Sequence, residues 1–429
     1  MPKTKNPLEI PEILALVGMY IPMWQPVVGG YSFHPQDMLS CTLVSHHFRI
    51  TLLPILWYTF DEKASSAVPI ENIRKYTPYF RHHFNYGYRK DYPTHCREPC
   101  TRLTQLTIAV SQKGEHDIEF IKSNPGLKRL ECTENYYSDA FTHLSQLEHL
   151  RYQNMGNKSH QQSFQLISKN LKSLRLKSSI GKLGLEGLVF PNLKELSTDL
   201  CDLQDAMDLL HGCPNLESLE SVESFSPRSL LNVTQALKSG ACPVLRSMRL
   251  RALNGQEEDL AVMLKNRRGL THLDLNVALV SVNLIEAIGC HASSLTHLAI
   301  RGGIWAPSTF SFLLEILSSR GHLKDVRIQG MTNEAIDPLI TKMRWKNPDV
   351  LESLTLKSDT LILGGEQVKS EVFTMPSDDC LGPWMLPPGK ESRTPNLAFL
   401  KVLFKMAQGF SGLRTITIND VVYRKFDLQ

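Results

Sequence analysis

The spacing of leucine decides what this chain can fold into. Twelve segments read L-x-x-L-x-L or a near variant of it, from Leu103-Thr-Gln-Leu106-Thr-Ile108 to Leu413-Arg-Thr-Ile416-Thr-Ile418. The copies between them start at Leu127, Leu147, Leu171, Leu193, Leu216, Leu245, Leu270, Leu295, Leu323 and Leu351. From Leu103 to Leu351 the intervals run from 20 to 29 residues. Successive side chains of a strand point to opposite faces, so the apolar residues of each copy share one side and the residues between them take the other. A strand this short does not stand alone. Stacked parallel copies complete one another's hydrogen bonds and bury a common apolar spine.

This pattern is that of a leucine-rich repeat solenoid. The expected fold class is α/β: a horseshoe with parallel strands on its concave face and return helices between them. Apolar residues at three- and four-residue spacing predict helices over 205–213, 229–241, 258–265, 283–290, 308–319 and 334–343, for example Leu230, Val233 and Leu237. Proline precedes several strands (Pro125, Pro191, Pro214, Pro243, Pro348) because it cannot continue a helix. Tyr79-Phe-Arg-His-His-Phe84-Asn-Tyr86 starts about one period before Leu103 and reads as a degenerate copy. Residues 358–396, rich in Gly, Pro and Ser, interrupt the pattern, and a helix is expected over 397–407 before the last strand.

A chain of 429 residues exceeds one ordinary core, which fits an extended array. The net charge of +4 gives no general argument for nucleic acid or a membrane surface as partner. No run of 18 apolar residues exists, so no membrane span is expected. The basic start Met-Pro-Lys-Thr-Lys-Asn is followed by an amphipathic stretch with Glu9 and Glu12, not by the apolar run of a signal peptide. The nine cysteines are an odd number, and most sit at repeat-like positions (Cys132, Cys201, Cys213, Cys242, Cys290). They read as small buried thiols of a reduced compartment, and the expected location is cytoplasm or nucleus.

Residues 6–60 lack the repeat. Pro7-Leu8-Glu9-Ile10 opens the segment, Met38-Leu39 and Leu43-Val44 lie on a short helical pattern, and Pro54-Ile55-Leu56-Trp57 closes it. In order and residue type these pieces resemble the F-box family, which combines P-x-E-[IL], a helix with L-x-x-x-x-L-V, and P-x-L-W. The match covers about 55 residues, and the chain as a whole is similar to fungal proteins that join an F-box to leucine-rich repeats. Two departures stand out: a long loop at 22–35, and Ser45-His46-His47-Phe48 where the family has Cys-x-x-Trp. The resemblance implies a small all-α unit that docks on the Skp-type adaptor of a cullin ligase core, by helix-in-groove contacts from Pro7, Leu8, Ile10, Leu14, Leu39, Leu43, Val44, Pro54, Leu56 and Trp57. It implies that the repeats hold a protein substrate. The plainer alternative is that these helices only cap the open end of the solenoid.

The expected plan is therefore a helical unit at 6–62, a linker with the degenerate first repeat at 63–100, and repeats over 101–429 with the irregular insertion 358–396. No catalytic motif occurs: there is no phosphate loop, no H-E-x-x-H and no G-x-S-x-G, and neither a cofactor nor catalysis is expected. His82, His83, His95, Cys96 and Cys100 lack proper zinc spacing, and the favoured reading is a degenerate strand and a linker with no metal. Binding falls to the outward positions of the strands. Arg129, His149, Arg151, Arg175 and Lys177 come first, then acidic Glu195, Asp199 and Glu220, then Arg249, Arg251, His297, Arg301 and Arg327 with Asp274 and Asp325 interspersed. The functional reading is a partner with acidic or phosphorylated elements held by the basic side chains. The plainer one is a solvated face whose opposite charges pair across strands. Two rival roles remain: a stand-alone interaction scaffold, and an enzyme with a small-molecule site in the 358–396 insertion.

Overall fold

The computed structural model describes residues 6–27, 30–62, 65, 68–85, 100–108, 114–132, 140–154, 161–178, 185, 187–198, 206–221, 224, 226–253, 255–305, 309–319, 322–331, 350–358, 384, 385, 414–418 and 421–425. The chain divides into two units, Met1–Leu196 and Ser197–Gln429.

The first unit opens with helices. Asn6 caps a 3-10 turn at Pro7–Glu9, accepting from the Leu8 amide at 3.1 Å. Helices α1 (Pro11–Tyr20), α2 (Gln36–Thr42) and α3 (His46–Leu56) follow. Ser45 fixes the start of α3 by accepting from the Phe48 amide, the usual work of a serine at that position. Leu14, Met38, Leu52, Ile55 and Leu56 form the core of this helical region. A Cβ on Gly18 would lie 2.6 Å from Leu52 Cδ2, so glycine there lets α1 approach α3 closely. The all-α description of 6–62 does not hold. The long loop forms an antiparallel ribbon, β1 (Trp24–Val27) against β2 (Gly30–Phe33). Only two residues separate the paired Val27 and Gly30, the length of a tight hairpin connection.

The span also contains β3 (Thr59–Asp61), which belongs to the repeats. Strands β4 (His82–Asn85), β5 (Gln105–Ile108), β6 (Arg129–Cys132), β7 (His149–Asn154) and β8 (Ser173–Ser178) follow it in sequence order, all parallel. The degenerate copy is thus β4. In register, Phe60, His83, Leu106, Leu130, Leu150 and Leu174 make one buried inward row. Each strand enters in the same way: the Lys128 and Arg129 amides both donate to Thr104 O, and those of Glu148 and His149 to Lys128 O. Strand β9 (Glu195–Thr198) begins where this unit ends.

The second unit repeats the pattern over β10 (Ser218–Ser221), β11 (Ser247–Ala252), β12 (His272–Val280), β13 (His297–Trp305), β14 (Asp325–Met331) and β15 (Ser353–Ser358). After β16 (Trp384–Met385) come β17 (Thr415–Ile418), parallel to β15, and β18 (Val421–Lys425), antiparallel to both β17 and β16. Leu219, Met248, Leu273, Leu298, Val326 and Leu354 form the first buried row, and Leu250, Leu275, Ile300, Ile328 and Leu356 the second. Return helices span Ala206–His211, Pro227–Lys238, Glu257–Lys265, Val282–Gly289 and Thr309–Ser319, each within three residues of its expected bounds. Ser226 and Ser281 cap two of them. The helices expected over 334–343 and 397–407 lie outside the described residues, as does the 358–396 insertion except for Trp384 and Met385. These two units are leucine-rich repeat arrays. No helix among the described residues is long and apolar enough to cross a membrane.

Three cysteines occupy one turn of the repeat. The carbonyls of Cys100, Cys213 and Cys242 accept from the amides of Leu103, Leu216 and Leu245, which open the next strand motif. Burial pushes the thiols of Cys132 and Cys213 well above the usual range and that of Cys242 up to about 12, so these are packing groups. Cys290 departs from the expectation, since it is exposed at the end of its helix, and Cys201 lies outside the described residues.

The inward rows carry the stability. Leu275→Ala should cost about 2–5 kcal/mol, because Leu275 is fully buried between Leu250 and Ile300. Arg251→Ala, on the outward side of the neighbouring strand, should stay within about 0.5 kcal/mol of wild type. Urea unfolding of the two variants checks the contrast.

Candidate functional site

The ten side chains implied for adaptor contact do not act as one group. Leu14 (2% exposed) and Leu56 (8%) are core residues of the helical region. Leu8 (40%), Leu39 (44%), Leu43 (73%) and Val44 (68%) face solvent. Pro7 is exposed, and Ile10 and Pro54 are half-buried. Trp57 has a different task. Its ring stacks on Tyr76 at 4.9 Å and on Phe80 at 6.0 Å, and Phe80 stacks on Phe60 at 5.1 Å. His83 continues the series, with its ring edge-on to Phe60 at 4.9 Å and to Phe120 at 5.3 Å. This aromatic series ties the end of α3 to the first strands.

Several further apolar side chains of this region are exposed, among them Leu16, Val17, Tyr20 and Ile50. Their signal was available. Helix α1 reads Pro-Glu-Ile-Leu-Ala-Leu-Val-Gly-Met-Tyr, apolar almost all round, which is more than one buried stripe needs.

On the strands, pairing governs the basic side chains. The register puts Glu220, Arg249 and Asp274 in one cross-strand row. Arg249 bonds Glu220 Oε1 at 3.0 Å and Asp274 Oδ2 at 3.1 Å. Arg301 reaches the same Asp274 at 2.8 Å, so one carboxylate joins two guanidiniums. Its hydrogen bond to Glu220, ahead of all other influences, holds the Arg249 guanidinium above its ordinary pKa. Arg327 pairs with Asp325 through two bonds, at 2.7 and 3.2 Å. In the first unit Arg151 pairs with Glu131 at 2.7 Å. Lys177 is exposed. Arg129 and Arg251 are exposed, Arg175 is half-buried, and none of these three makes an ion pair among the described residues. Asp199 lies outside the described residues.

His297 stacks on His272 at 4.1 Å with the rings nearly parallel. Each histidine follows a threonine, in the tandem Leu270-Thr-His-Leu273 and Leu295-Thr-His-Leu298. The Thr271 and Thr296 hydroxyls donate to Arg246 O and Thr271 O. Their oxygens therefore accept from the histidine Nδ1 atoms, at 2.9 and 2.8 Å. That leaves each Nε2 as an acceptor on the outward face. The identical Thr-His pair one period apart was a readable signal for this stack.

The zinc possibility fails on geometry for its best-placed pair. His82 and His83 are adjacent on β4, so they leave the strand on opposite faces, and His83 is buried among phenylalanines. Cys100 is buried in its turn, and His95 and Cys96 lie outside the described residues. No group of three or more metal-ligating side chains occurs among the described residues.

No family model matches the chain, and no curated protein matches it. Solved structures do. It is similar to an internalin, InlF, of Listeria monocytogenes str. 4b F2365 (14% identity, 67% of this chain and 83% of that one, TM-score 0.34). It is similar to human 5T4, also described as Wnt-activated inhibitory factor 1 and trophoblast glycoprotein (14% identity, 63% and 84%, TM-score 0.27). A third is the Leptospira interrogans leucine-rich repeat protein LIC12759 (12% identity, 67% and 86%, TM-score 0.27). At these scores the repeat assignment rests on the chain's own strand register and buried leucine rows.

Burial holds four histidines below their ordinary pKa: His82 (with help from Arg81 and Arg129), His149 (with help from Arg129), His272 (with help from His297) and His291. The unfolded chain then takes up protons first as pH falls. Stability is full above the unfolded histidine value of about 6.5 and declines as pH drops through it toward the depressed folded values. Urea midpoints should therefore fall between about pH 7 and pH 5. His272→Asn should flatten part of that slope.

Proposed function

We propose that this chain is a non-catalytic substrate receptor of a Skp–cullin–F-box ubiquitin ligase, with its helical region on a Skp-type adaptor and its repeats on a protein substrate. One observation carries the reading. Of nineteen large apolar side chains exposed among the described residues, ten fall between Leu8 and Ile50. Soluble proteins do not normally gather exposed apolar side chains in this way unless a partner covers them. Leu8, Leu39, Leu43 and Val44 suit helix-in-groove docking, while Leu14 and Leu56 keep the region folded. The repeats supply an ordered outward face, and Arg129, Arg175 and Arg251, which make no ion pair among the described residues, favour a substrate with acidic or phosphorylated elements.

The stack of Trp57 on Tyr76 and Phe80 favours a second reading, in which the helices serve as the cap of a stand-alone interaction scaffold. Adaptor capture separates the two. A recombinant Skp-type adaptor should co-purify with the full chain. Leu43→Asp and Leu39→Asp should each reduce retention at least about tenfold, a loss of about 1.4 kcal/mol, with the melting temperature unchanged. Failure of the wild-type chain to retain the adaptor leaves the scaffold reading standing.

A further inference from the structure

The first unit contains a cavity of about 620 Å³ between the helices and the starts of β4 and β5. Met19, Met23, Ile55 and Tyr58 give it an apolar wall. Arg81, His82, Arg102 and Thr104 line the rest, and no carboxylate lines it among the described residues. The repeat geometry creates this arrangement. Tyr58 O accepts the amides of Arg81 and His82, and Arg81 O accepts those of Thr104 and Gln105. Residues that precede successive strands are thereby stacked beside the end of α3.

Among the described residues, several strand arginines are neutralised by carboxylates, whereas Arg129, Arg175 and Arg251 are not. Arg151, Arg249, Arg301 and Arg327 each have a carboxylate partner. Arg81 and Arg102 form no ion pair among the described residues; the Arg81 guanidinium lies over the Tyr58 ring at 4.5 Å. His82 is held below its ordinary pKa by burial, then by Arg81 and Arg129, and so stays neutral near pH 7. Its Nδ1 lies 3.4 Å from Thr59 Oγ1, which leaves Nε2 for another partner. Two cations with no ion pair among the described residues, a neutral imidazole and an apolar wall share one hollow. Its volume lies within the range of about 300–1,000 Å³ typical of small-molecule sites.

We propose that this cavity binds a small organic anion, a carboxylate on an aryl or alkyl body. Arg102 and Arg81 hold the carboxylate, and the body packs on Met19, Met23 and Ile55. Arg is suited to this because its planar fork matches both carboxylate oxygens. The site shares Met19 with that exposed apolar group but uses none of Leu8, Leu39, Leu43 and Val44, so it stands whether or not those four meet an adaptor.

Calorimetry with the full chain tests it, using phenylbutyrate and octanoate as probes and phenylbutyramide as the uncharged twin. Phenylbutyrate should bind at one site per chain, and the amide at least about tenfold more weakly, as expected for loss of a charge-assisted bond. Arg102→Gln should weaken the carboxylate by a similar factor and leave amide binding alone, while Arg102→Lys recovers part of the loss. Met23→Trp, which fills the apolar wall and keeps both cations, should weaken both compounds at an unchanged melting temperature. The proposal is overturned if neither carboxylate binds at millimolar concentration. It is equally overturned if the amide binds as tightly as the acid, or if a folded Arg102→Gln binds as wild type does. A short acidic peptide that binds where both small carboxylates fail would assign the cavity to a protein partner instead.

Discussion

Every short strand of this protein depends on its neighbours for its backbone hydrogen bonds. A four-residue strand such as β5, β6 or β10 has too few internal contacts to persist alone. The repeating entry bond, in which two successive amides share one carbonyl of the preceding copy, locks each strand at a fixed register. Once the register is fixed, side-chain alternation leaves no choice about direction. Leu106, Leu130, Leu150 and Leu174 must go inward together, and the charges between them must go outward together. The buried rows and the ion-pair rows are two consequences of one backbone constraint.

That constraint also explains what could be read from the sequence. Leucine at fixed spacing gave the repeat strands and, through three- and four-residue periodicity, most of the return helices. The first two strands escaped or stayed uncertain because other residues fill the leucine place: Phe60 in β3 and His83 in β4. An inward histidine is invisible to a search for leucine, yet an aromatic surround accommodates it. The ribbon at Trp24–Phe33 was illegible for another reason, since its pairing joins residues of the loop to each other and follows no repeat.

The candidate sites were legible to a lesser degree. Strand alternation identified the outward basic residues, but a residue-by-residue reading treats each charge separately. The partner of Arg249 lies 29 residues away at Glu220 or 25 away at Asp274, and only the register brings them together. In the helical region an apolar residue shows the same letter whether it faces the core or a partner. Leu14 and Leu43 are both leucine, one buried and one almost free, and packing against α3 alone separates them.

The split among the basic side chains bears directly on how an acidic partner would be held. Exposed ion pairs contribute little to stability, about 0.2–1 kcal/mol each, so the rows around Asp274 are weak as struts. Their stronger effect is on recognition. A carboxylate or phosphate approaching Arg249 would meet the negative charge of Glu220 and Asp274, which hold its Nη1 and Nε. Arg251, on the same strand, presents no such barrier. In the first unit Arg175 lies beside paired Arg151 in one cross-strand row. Among the described residues the outward face thus holds paired Arg151, Arg249, Arg301 and Arg327 beside Arg129, Arg175 and Arg251, which make no ion pair there, and the cross-strand register decides which is which.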